Sequence, residues 1–199
     1  MLVKGSDVLN KAMKRGYAAG AFNVYNLESL QAVVNSAEHL KSPVIVQTSE
    51  SAIFYAGLKT ISEMIEIAAK SVQIPVVLHL DHGRNIAFIK KCLELGYTSI
   101  MFDGSEFNLK KNLELTKKVV ELVHGKGASV EAELGRIYGQ EDDAKSEEYG
   151  YTKPDEAKEF VEKTGIDALA ISIGTSHGIF KKRAGRLRFD ILEDIRKRI

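Results

Sequence analysis

Imidazole and carboxylate side chains stand at the ends of several apolar runs in this chain. The clearest case is residues 76–83, where valines and leucines lead into Asp81, His82 and a glycine. Apolar residues at positions 76, 78 and 80 alternate with polar residues at 79 and 81, which is typical of a β-strand with one apolar face. The reactive groups therefore lie at the carboxyl end of the strand, where β/α-repeat enzymes place their catalytic groups.

Polar residues with the same placement follow the other predicted strands. Imidazole and carboxylate together are common ligands of catalytic zinc, and ligands this far apart in sequence fit a barrel rim rather than a zinc finger. Glu131 and Glu133 share one strand face, where a carboxylate is costly unless a cation, a metal or a hydrogen-bond network compensates it. The rim candidates are Asn23, Ser49, Asp81, His82, Asp103, Glu131, Glu133, Thr175 and His177.

Individual candidates also have a purely structural interpretation. A single histidine such as His82 is more often a hydrogen-bonded loop residue than a ligand, and Asp103 could be a turn aspartate. His79 faces the same way but lies deeper in its strand, which favours a supporting role. His39 and His124 lie on predicted helices, so neither is a site candidate.

The elements that must position the rim alternate between strand and helix patterns. Strands are predicted for residues 20–25, 43–49, 75–82, 98–104, 128–135 and 168–175, and helices for 27–40, 61–69, 86–95, 109–124, 154–163 and 189–199. This alternation indicates βαβ units and a parallel sheet. Each strand has one aliphatic and one small or polar face, which favours an α/β fold of the (β/α)8 TIM-barrel class over a doubly wound sheet.

The number of units is smaller than a whole barrel requires. A complete barrel has eight units and typically ~250 residues, whereas this chain has 199 residues and six predicted strands. We therefore expect one barrel domain over residues 1–199 that is incomplete at its C-terminus. Its open sheet edges would invite association with another chain.

The composition excludes several classes of function. The chain has 28 basic and 27 acidic residues and a net charge of +1, so we expect no positive surface for nucleic acid. It contains no run of eighteen apolar residues, which predicts no membrane span. Cys92 is the only cysteine, which argues against a disulfide framework and suits a cytoplasmic protein.

The segment that follows Glu133 is predicted to be a lid. Residues 135–153 are acidic and punctuated by glycines, and a helix pattern resumes only at Pro154. Loops this long in compact barrels are usually functional lids or disordered segments. The lid is favoured because the segment begins beside the proposed site.

Six segments taken together resemble the class II fructose-bisphosphate aldolases, a family that includes tagatose-bisphosphate aldolases. They are residues 20–24, 47–49, 80–83, 102–105, 130–135 and 174–178, and the similarity runs from the first residue to the last. The resemblance implies a metal-dependent lyase. Such an enzyme cleaves fructose 1,6-bisphosphate reversibly to dihydroxyacetone phosphate and glyceraldehyde 3-phosphate.

The resemblance also implies two metal positions. His82 and His177 match the ligands of the catalytic Zn²⁺. Asp103 and Glu133 match the ligands of a second, more buried Zn²⁺ position. Cobalt or iron could occupy the same donor groups, because affinity alone does not select among these metals.

The remaining family roles fall on five further positions. Asp81 matches the acid/base at the C4 hydroxyl of the substrate, and Glu141 matches the mobile carboxylate that transfers a proton. Asn23, Ser49 and Gly178 match substrate contacts. No lysine is predicted at an inward strand position, which agrees with metal chemistry rather than a Schiff base.

The chain departs from the family pattern after its sixth strand. The family supplies a third zinc histidine from a seventh strand and phosphate ligands from the seventh and eighth, whereas no histidine follows His177 here. We therefore expect little or no activity from the 199-residue chain by itself. A tagatose-specific aldolase, an inactive barrel remnant and another metal-dependent barrel lyase or epimerase are the alternatives. By resemblance we also expect a homo-oligomer, either a dimer or a tetramer.

Overall fold

Six parallel strands form one curled sheet with helices between them in the computed structural model of this protein. The structure describes residues 1–135, 137, 139–141, 144–146, 150–178 and 186–199, and for residues 140, 141 and 144–146 it describes the backbone alone. The strand order is β1-β2-β3-β4-β5-β8, so each strand of the sheet lies beside the next one in sequence.

The strands and helices lie close to the predicted positions. The six strands of the main sheet are β1 (Gly20–Asn23), β2 (Val44–Ser49), β3 (Val76–Gly83), β4 (Ser99–Phe102), β5 (Ser129–Leu134) and β8 (Ala168–Ile171). The helices are α1 (Gly5–Arg15), α2 (Leu27–His39), α3 (Glu50–Ala56), α4 (Leu58–Lys70), α5 (Ile86–Glu94), α6 (Leu109–His124), α7 (Pro154–Thr164) and α8 (Phe189–Arg198). Two short strands, β6 (Gly139–Glu141) and β7 (Ala144–Ser146), form a separate antiparallel hairpin.

The parallel order and the alternating helices confirm the prediction of a partial TIM barrel. The register brings the polar strand ends together, because Asn23 pairs with Gln47 and Ser49 pairs with Asp81. β1 and β8 are the two edges of this sheet.

The main core lies between the helices and the aliphatic face of the sheet. Val76, Leu78 and Leu80 are completely buried there, together with residues of α2, α4, α5 and α6. Burying one such leucine contributes about 1.5–3 kcal/mol. The alternation that predicted this face therefore reflects burial against the helices.

Helix α1 covers the other face of the sheet near the amino ends of the strands. Val8 of α1 packs with Ile45 and Val77 in a small separate cluster. Gly5 allows this approach, because a Cβ there would lie 2.7 Å from the Ser99 hydroxyl oxygen. The helix thereby shields the inner face below the polar rim.

The sequence patterns missed three elements. α1 was not predicted, and its buried stripe is only Gly5, Val8 and Ala12. α3 was not predicted either, because its large residues Phe54 and Tyr55 are exposed. The hairpin lies in the segment predicted to be a lid, for which no strands were predicted. No helix in the described part of the chain is long and apolar enough to cross a membrane.

Candidate active site

The Asp81 carboxylate is held by two side-chain amides at the carboxyl ends of β1, β2 and β3. Asn23 Nδ2 donates to one oxygen at 2.8 Å, and Gln47 Nε2 donates to the other at 3.0 Å. Asp81 is only 5% exposed, so each oxygen has a fixed direction. Gln47 had no predicted role. The sequence did place Gln47 on the polar face of its strand, and this could have identified it as a site residue. In the structure it pairs with Asn23 of β1.

A β-bulge brings Asp81 and His82 to the same rim. Between the pairs Leu80–Ile100 and Gly83–Phe102 the register shifts, so two residues of β3 oppose one residue of β4. His82 has φ 47°, in the left-handed region that non-glycine residues rarely adopt. Such a conformation costs on the order of 1–3 kcal/mol and is often found at functional sites. Neighbouring residues of a regular strand would point to opposite faces, so the bulge allows both to serve the rim.

Asp103 is held as a turn aspartate and also faces His82 as a candidate metal ligand, so both interpretations that the sequence left open apply to it. One oxygen accepts the Ser105 backbone N–H at 3.1 Å and the Ser105 hydroxyl at 2.7 Å, as expected of a turn aspartate. The other oxygen lies 3.0 Å from His82 Nδ1 and accepts from Arg84 at 3.2 Å. Burial raises the pKa of Asp103, but the hydrogen bonds from His82 and Ser105 outweigh burial and hold the pKa well below its usual range. Ser105 and Arg84 had no predicted role.

Glu133 carries a buried oxygen that lacks a hydrogen bond. Its Oε2 atom has no hydrogen-bond partner among the described residues and lies 3.8 Å from His82 Nδ1. Burial raises the pKa of Glu133 to about 7, and the neighbouring Asp103 carboxylate adds to the effect. Ligand atoms of His82, Asp103 and Glu133 lie within 4.8 Å of one another. One nitrogen and two carboxylate donors fit a divalent cation, which would also satisfy the unpaired oxygen.

His177 lies beside this cluster. Its ring centroid is 5.4 Å from that of His82, with an edge-on angle of 75°. The hairpin reaches the same place, because a Cβ at Gly139 would lie 3.0 Å from the His177 backbone nitrogen. Gly178 follows on the exposed surface with φ 69°.

The segment that carries the hairpin is anchored where β5 and β8 end. The Thr152 hydroxyl donates to the Leu134 carbonyl oxygen and accepts the Ser172 backbone N–H at 2.8 Å. The Thr152 N–H donates to the Ser172 carbonyl oxygen at 3.0 Å. Thr152 is buried, so it joins the two strand ends below His177.

His79 and Glu131 lie below the rim. This is the deeper position that the sequence predicted for His79. His79 Nδ1 is 2.8 Å from the Ser99 hydroxyl, and its Nε2 is 3.9 Å from a Glu131 oxygen. Burial lowers the pKa of His79 to about 4, so the ring is neutral at pH 7. Burial also raises the pKa of Glu131.

The other predicted site residues are less closely connected to the cluster. Ser49 is buried and caps α3, accepting the Ala52 N–H at 3.3 Å. Thr175 is exposed. The Glu141 backbone belongs to β6, but its side chain lies outside the described residues, and its role stays a prediction. His124, which was not a site candidate, pairs with Asp167 at 2.8 Å at the opposite end of the sheet.

Fold and rim together define a β/α-barrel protein with a candidate metal centre. The family profile described as fructose-bisphosphate aldolase class II matches residues 3–199. The fructose-bisphosphate aldolase of Helicobacter pylori is 44% identical over 201 residues, covering 99% of this chain and 66% of that protein. The probable fructose-bisphosphate aldolase of Bacillus subtilis is 45% identical over 199 residues, covering 98% and 70%.

Solved structures agree with these relatives. The YdjI aldolase of Escherichia coli K12 is 36% identical with a TM-score of 0.87, covering 100% of this chain and 70% of that one. A putative fructose-1,6-bisphosphate aldolase of Coccidioides immitis is 34% identical with a TM-score of 0.90, covering 98% and 69%. This chain belongs to the class II fructose-bisphosphate aldolase family, which confirms the resemblance. It spans 66% of the H. pylori relative's length.

Proposed function

We propose that this chain is a catalytic barrel domain of a metal-dependent lyase. Its reaction is the reversible cleavage of fructose 1,6-bisphosphate to dihydroxyacetone phosphate and glyceraldehyde 3-phosphate, a step of glycolysis and gluconeogenesis. The observation that carries the proposal is the cluster of His82, Asp103 and Glu133 beside the doubly held Asp81 carboxylate, in a chain of this family.

The proposed metal is Zn²⁺. His82 and His177 would hold it for catalysis, and Asp103 and Glu133 would hold a second ion. A cation at this position is supported by the low pKa of Asp103 and by the Glu133 Oε2 atom, which has no hydrogen-bond partner among the described residues. When bound, the metal supplies Lewis-acid stabilisation of the negative charge that develops on the ketone half of the substrate.

Asp81 is the proposed acid/base. In cleavage, one of its oxygens takes the proton of the C4 hydroxyl, the C3–C4 bond breaks, and C4 becomes the aldehyde carbon. The electron pair left at C3 then accepts a proton, which we assign to Glu141. Asn23 and Gln47 donate to separate Asp81 oxygens, so they fix the orientation of the carboxylate for proton transfer. Asn23, Ser49 and Gly178 are proposed substrate contacts.

The direct test is a coupled cleavage assay with added Zn²⁺ and then with EDTA. It uses the 199-residue chain and, in parallel, this chain fused to the region of the H. pylori relative that it does not span. The proposal predicts zinc-dependent turnover in at least one preparation. Asp81→Asn should lower that turnover by about 10²–10⁴-fold and leave zinc binding unchanged. Bound zinc without turnover in both preparations would instead favour an inactive metal-binding remnant.

Substrate choice is tested in the same assay. Tagatose 1,6-bisphosphate differs from the fructose compound at C4, the carbon whose hydroxyl Asp81 would deprotonate. We propose fructose 1,6-bisphosphate as the preferred substrate because it is the commoner compound. A higher kcat/KM with the tagatose isomer would reverse that choice.

We also infer a cytoplasmic homo-oligomer, either a dimer or a tetramer. Cys92 is buried and is the only cysteine of the chain, which suits a reducing compartment. Phe54 and Tyr55 of α3 are 74% and 77% exposed, and adjacent exposed aromatic residues are typical of interfaces. Sedimentation velocity of the purified chain, with a Tyr55→Ser variant as comparison, tests the association.

A further inference from the structure

Asn112 of α6 is a buried polar side chain behind the metal cluster. It is 1% exposed, and its Nδ2 donates to the Glu133 carbonyl oxygen at 3.0 Å. Its Oδ1 accepts the Thr116 hydroxyl at 3.0 Å. The Asn112 amide thus holds the main chain of Glu133, a proposed metal ligand.

The same amide also packs against the segment that carries Asp103. A Cβ at Gly104 would lie 2.8 Å from Asn112 Cγ, so the amide occupies the space that a side chain at position 104 would take. Gly104 follows Asp103 directly. A single side chain therefore contacts both main-chain segments from which the two carboxylates project.

The β4–β5 ladder does not reach this point. Its last pair is Phe102–Ala132, one residue before Asp103 and Glu133 on the two strands. Beyond that pair, Glu133 still pairs with Ala170 of β8, but β4 and β5 no longer pair with each other, and the Asn112 amide lies between them. Asn112 therefore links the two segments beyond the last β4–β5 pair.

We propose that Asn112 is a positioning residue for the metal cluster, and this inference rests on the metal site of the proposed function. By holding the Glu133 carbonyl oxygen and packing on Gly104, it sets the distance between the Asp103 and Glu133 carboxylates. Partners behind a ligand shell commonly change metal affinity by about 10–100-fold when they are removed.

The test compares two variants that both carry Thr116→Val and differ only at position 112. Thr116→Val removes the hydroxyl and keeps the amide bond to the Glu133 carbonyl. Asn112→Leu with Thr116→Val removes the amide as well, while leucine keeps its approximate volume. The readouts are Zn²⁺ affinity by calorimetry and the visible absorption of the Co²⁺ form, which reports ligand geometry and not fold stability alone.

We expect the Thr116→Val chain to bind Zn²⁺ like the wild type. The double variant should bind about 10–100-fold more weakly and show an altered Co²⁺ spectrum. Equal affinities and spectra in the two variants would overturn the inference and leave the metal site intact. A wild-type chain that binds no Zn²⁺ would overturn the metal site itself.

A second variant covers the case in which the double variant does not fold. Gly104→Ala removes no polar group, but its added Cβ would displace the Asn112 amide that packs against position 104. Its circular dichroism should match that of the wild type. Its Zn²⁺ affinity should still fall and its Co²⁺ spectrum should change, whereas wild-type affinity in the folded Gly104→Ala chain would contradict the inference.

Discussion

The buried His79 makes folding stability depend on pH in a way that can be measured. Its side chain is 3% exposed and lies between the Ser99 hydroxyl and Glu131. Burial disfavours the charged ring and lowers its pKa from 6.5 to about 4. Asp81 opposes this shift, whereas His82 adds to it.

The size and sign of the effect follow from that shift. Between pH 4 and 6.5 the unfolded chain protonates His79 while the folded chain does not, so the unfolded state binds more protons and the folded state loses stability as the pH falls. At about 1.4 kcal/mol for each pKa unit, the drop from 6.5 to about 4 corresponds to about 3 kcal/mol. This stability is fully present above pH 6.5 and is lost as the pH approaches 4.

Glu133 acts in the opposite direction. Its pKa is raised from 4.5 to about 7, so between those values the folded state binds more protons and gains stability as the pH falls. The total pH dependence of the wild type therefore conceals the contribution of His79. Comparison with a variant that lacks only the imidazole separates the two contributions.

His79→Asn is the appropriate variant, because its amide can still reach the Ser99 hydroxyl. Urea unfolding at pH 7.0 and 4.5, with EDTA present, gives the free energy of unfolding of both chains. We expect the wild type to lose about 2–3 kcal/mol more than the variant over this interval. Parallel losses in the two chains would refute the assignment of a neutral buried ring.

Three further predictions concern the core, the metal and the acid/base. Phe160→Ala should cost about 3–5 kcal/mol in urea unfolding because Phe160 is completely buried under β5 and β8, whereas a loss below about 1 kcal/mol would mean that this cluster is not packed. Zn²⁺ at 100 times its Kd should stabilise the wild type by about 2.7 kcal/mol and raise its Tm. EDTA should reverse this increase in Tm, and the His82→Ala variant should show no increase in Tm with Zn²⁺. Gln47→Ala should lower kcat about 10-fold, because the loss of one hydrogen bond to Asp81 raises the activation free energy by ~1.4 kcal/mol. The affinity for Zn²⁺ should be unchanged. A parallel loss of Zn²⁺ binding would place Gln47 in the metal site instead.

The positions of the strands were predictable because successive side chains of a strand point to opposite faces of the sheet, so residue type alternates with a period of two. The pattern at residues 76–80 marks β3, and similar patterns mark β2, β4, β5 and β8. Helix α6 was predicted with its observed bounds, Leu109–His124, since its apolar residues recur at helical spacing. The hairpin was missed because its three-residue strands carry no apolar alternation.

The candidate site was predictable as a set of residues but not as an arrangement. Motif resemblance singled out Asp81, His82, Asp103 and Glu133 without showing which atoms approach each other. The bulge at His82 is set by the pairing of β3 with β4, which no local pattern reports. Asn112 resembles any polar helix residue until α6 packs on β5.

The sequence by itself determined the order of the six main strands and of helices α2 and α4–α8, the apolar faces of the strands and the residue types at the rim. These properties depend on local periodicity and on motifs of a few residues. Only the tertiary structure decided that ligand atoms of His82, Asp103 and Glu133 lie within 4.8 Å of one another and that the ring of His79 is neutral at pH 7. It also decided that the Glu133 Oε2 atom has no hydrogen-bond partner among the described residues. The physical reason is that distances, desolvation and hydrogen-bond partners arise between segments far apart in the chain.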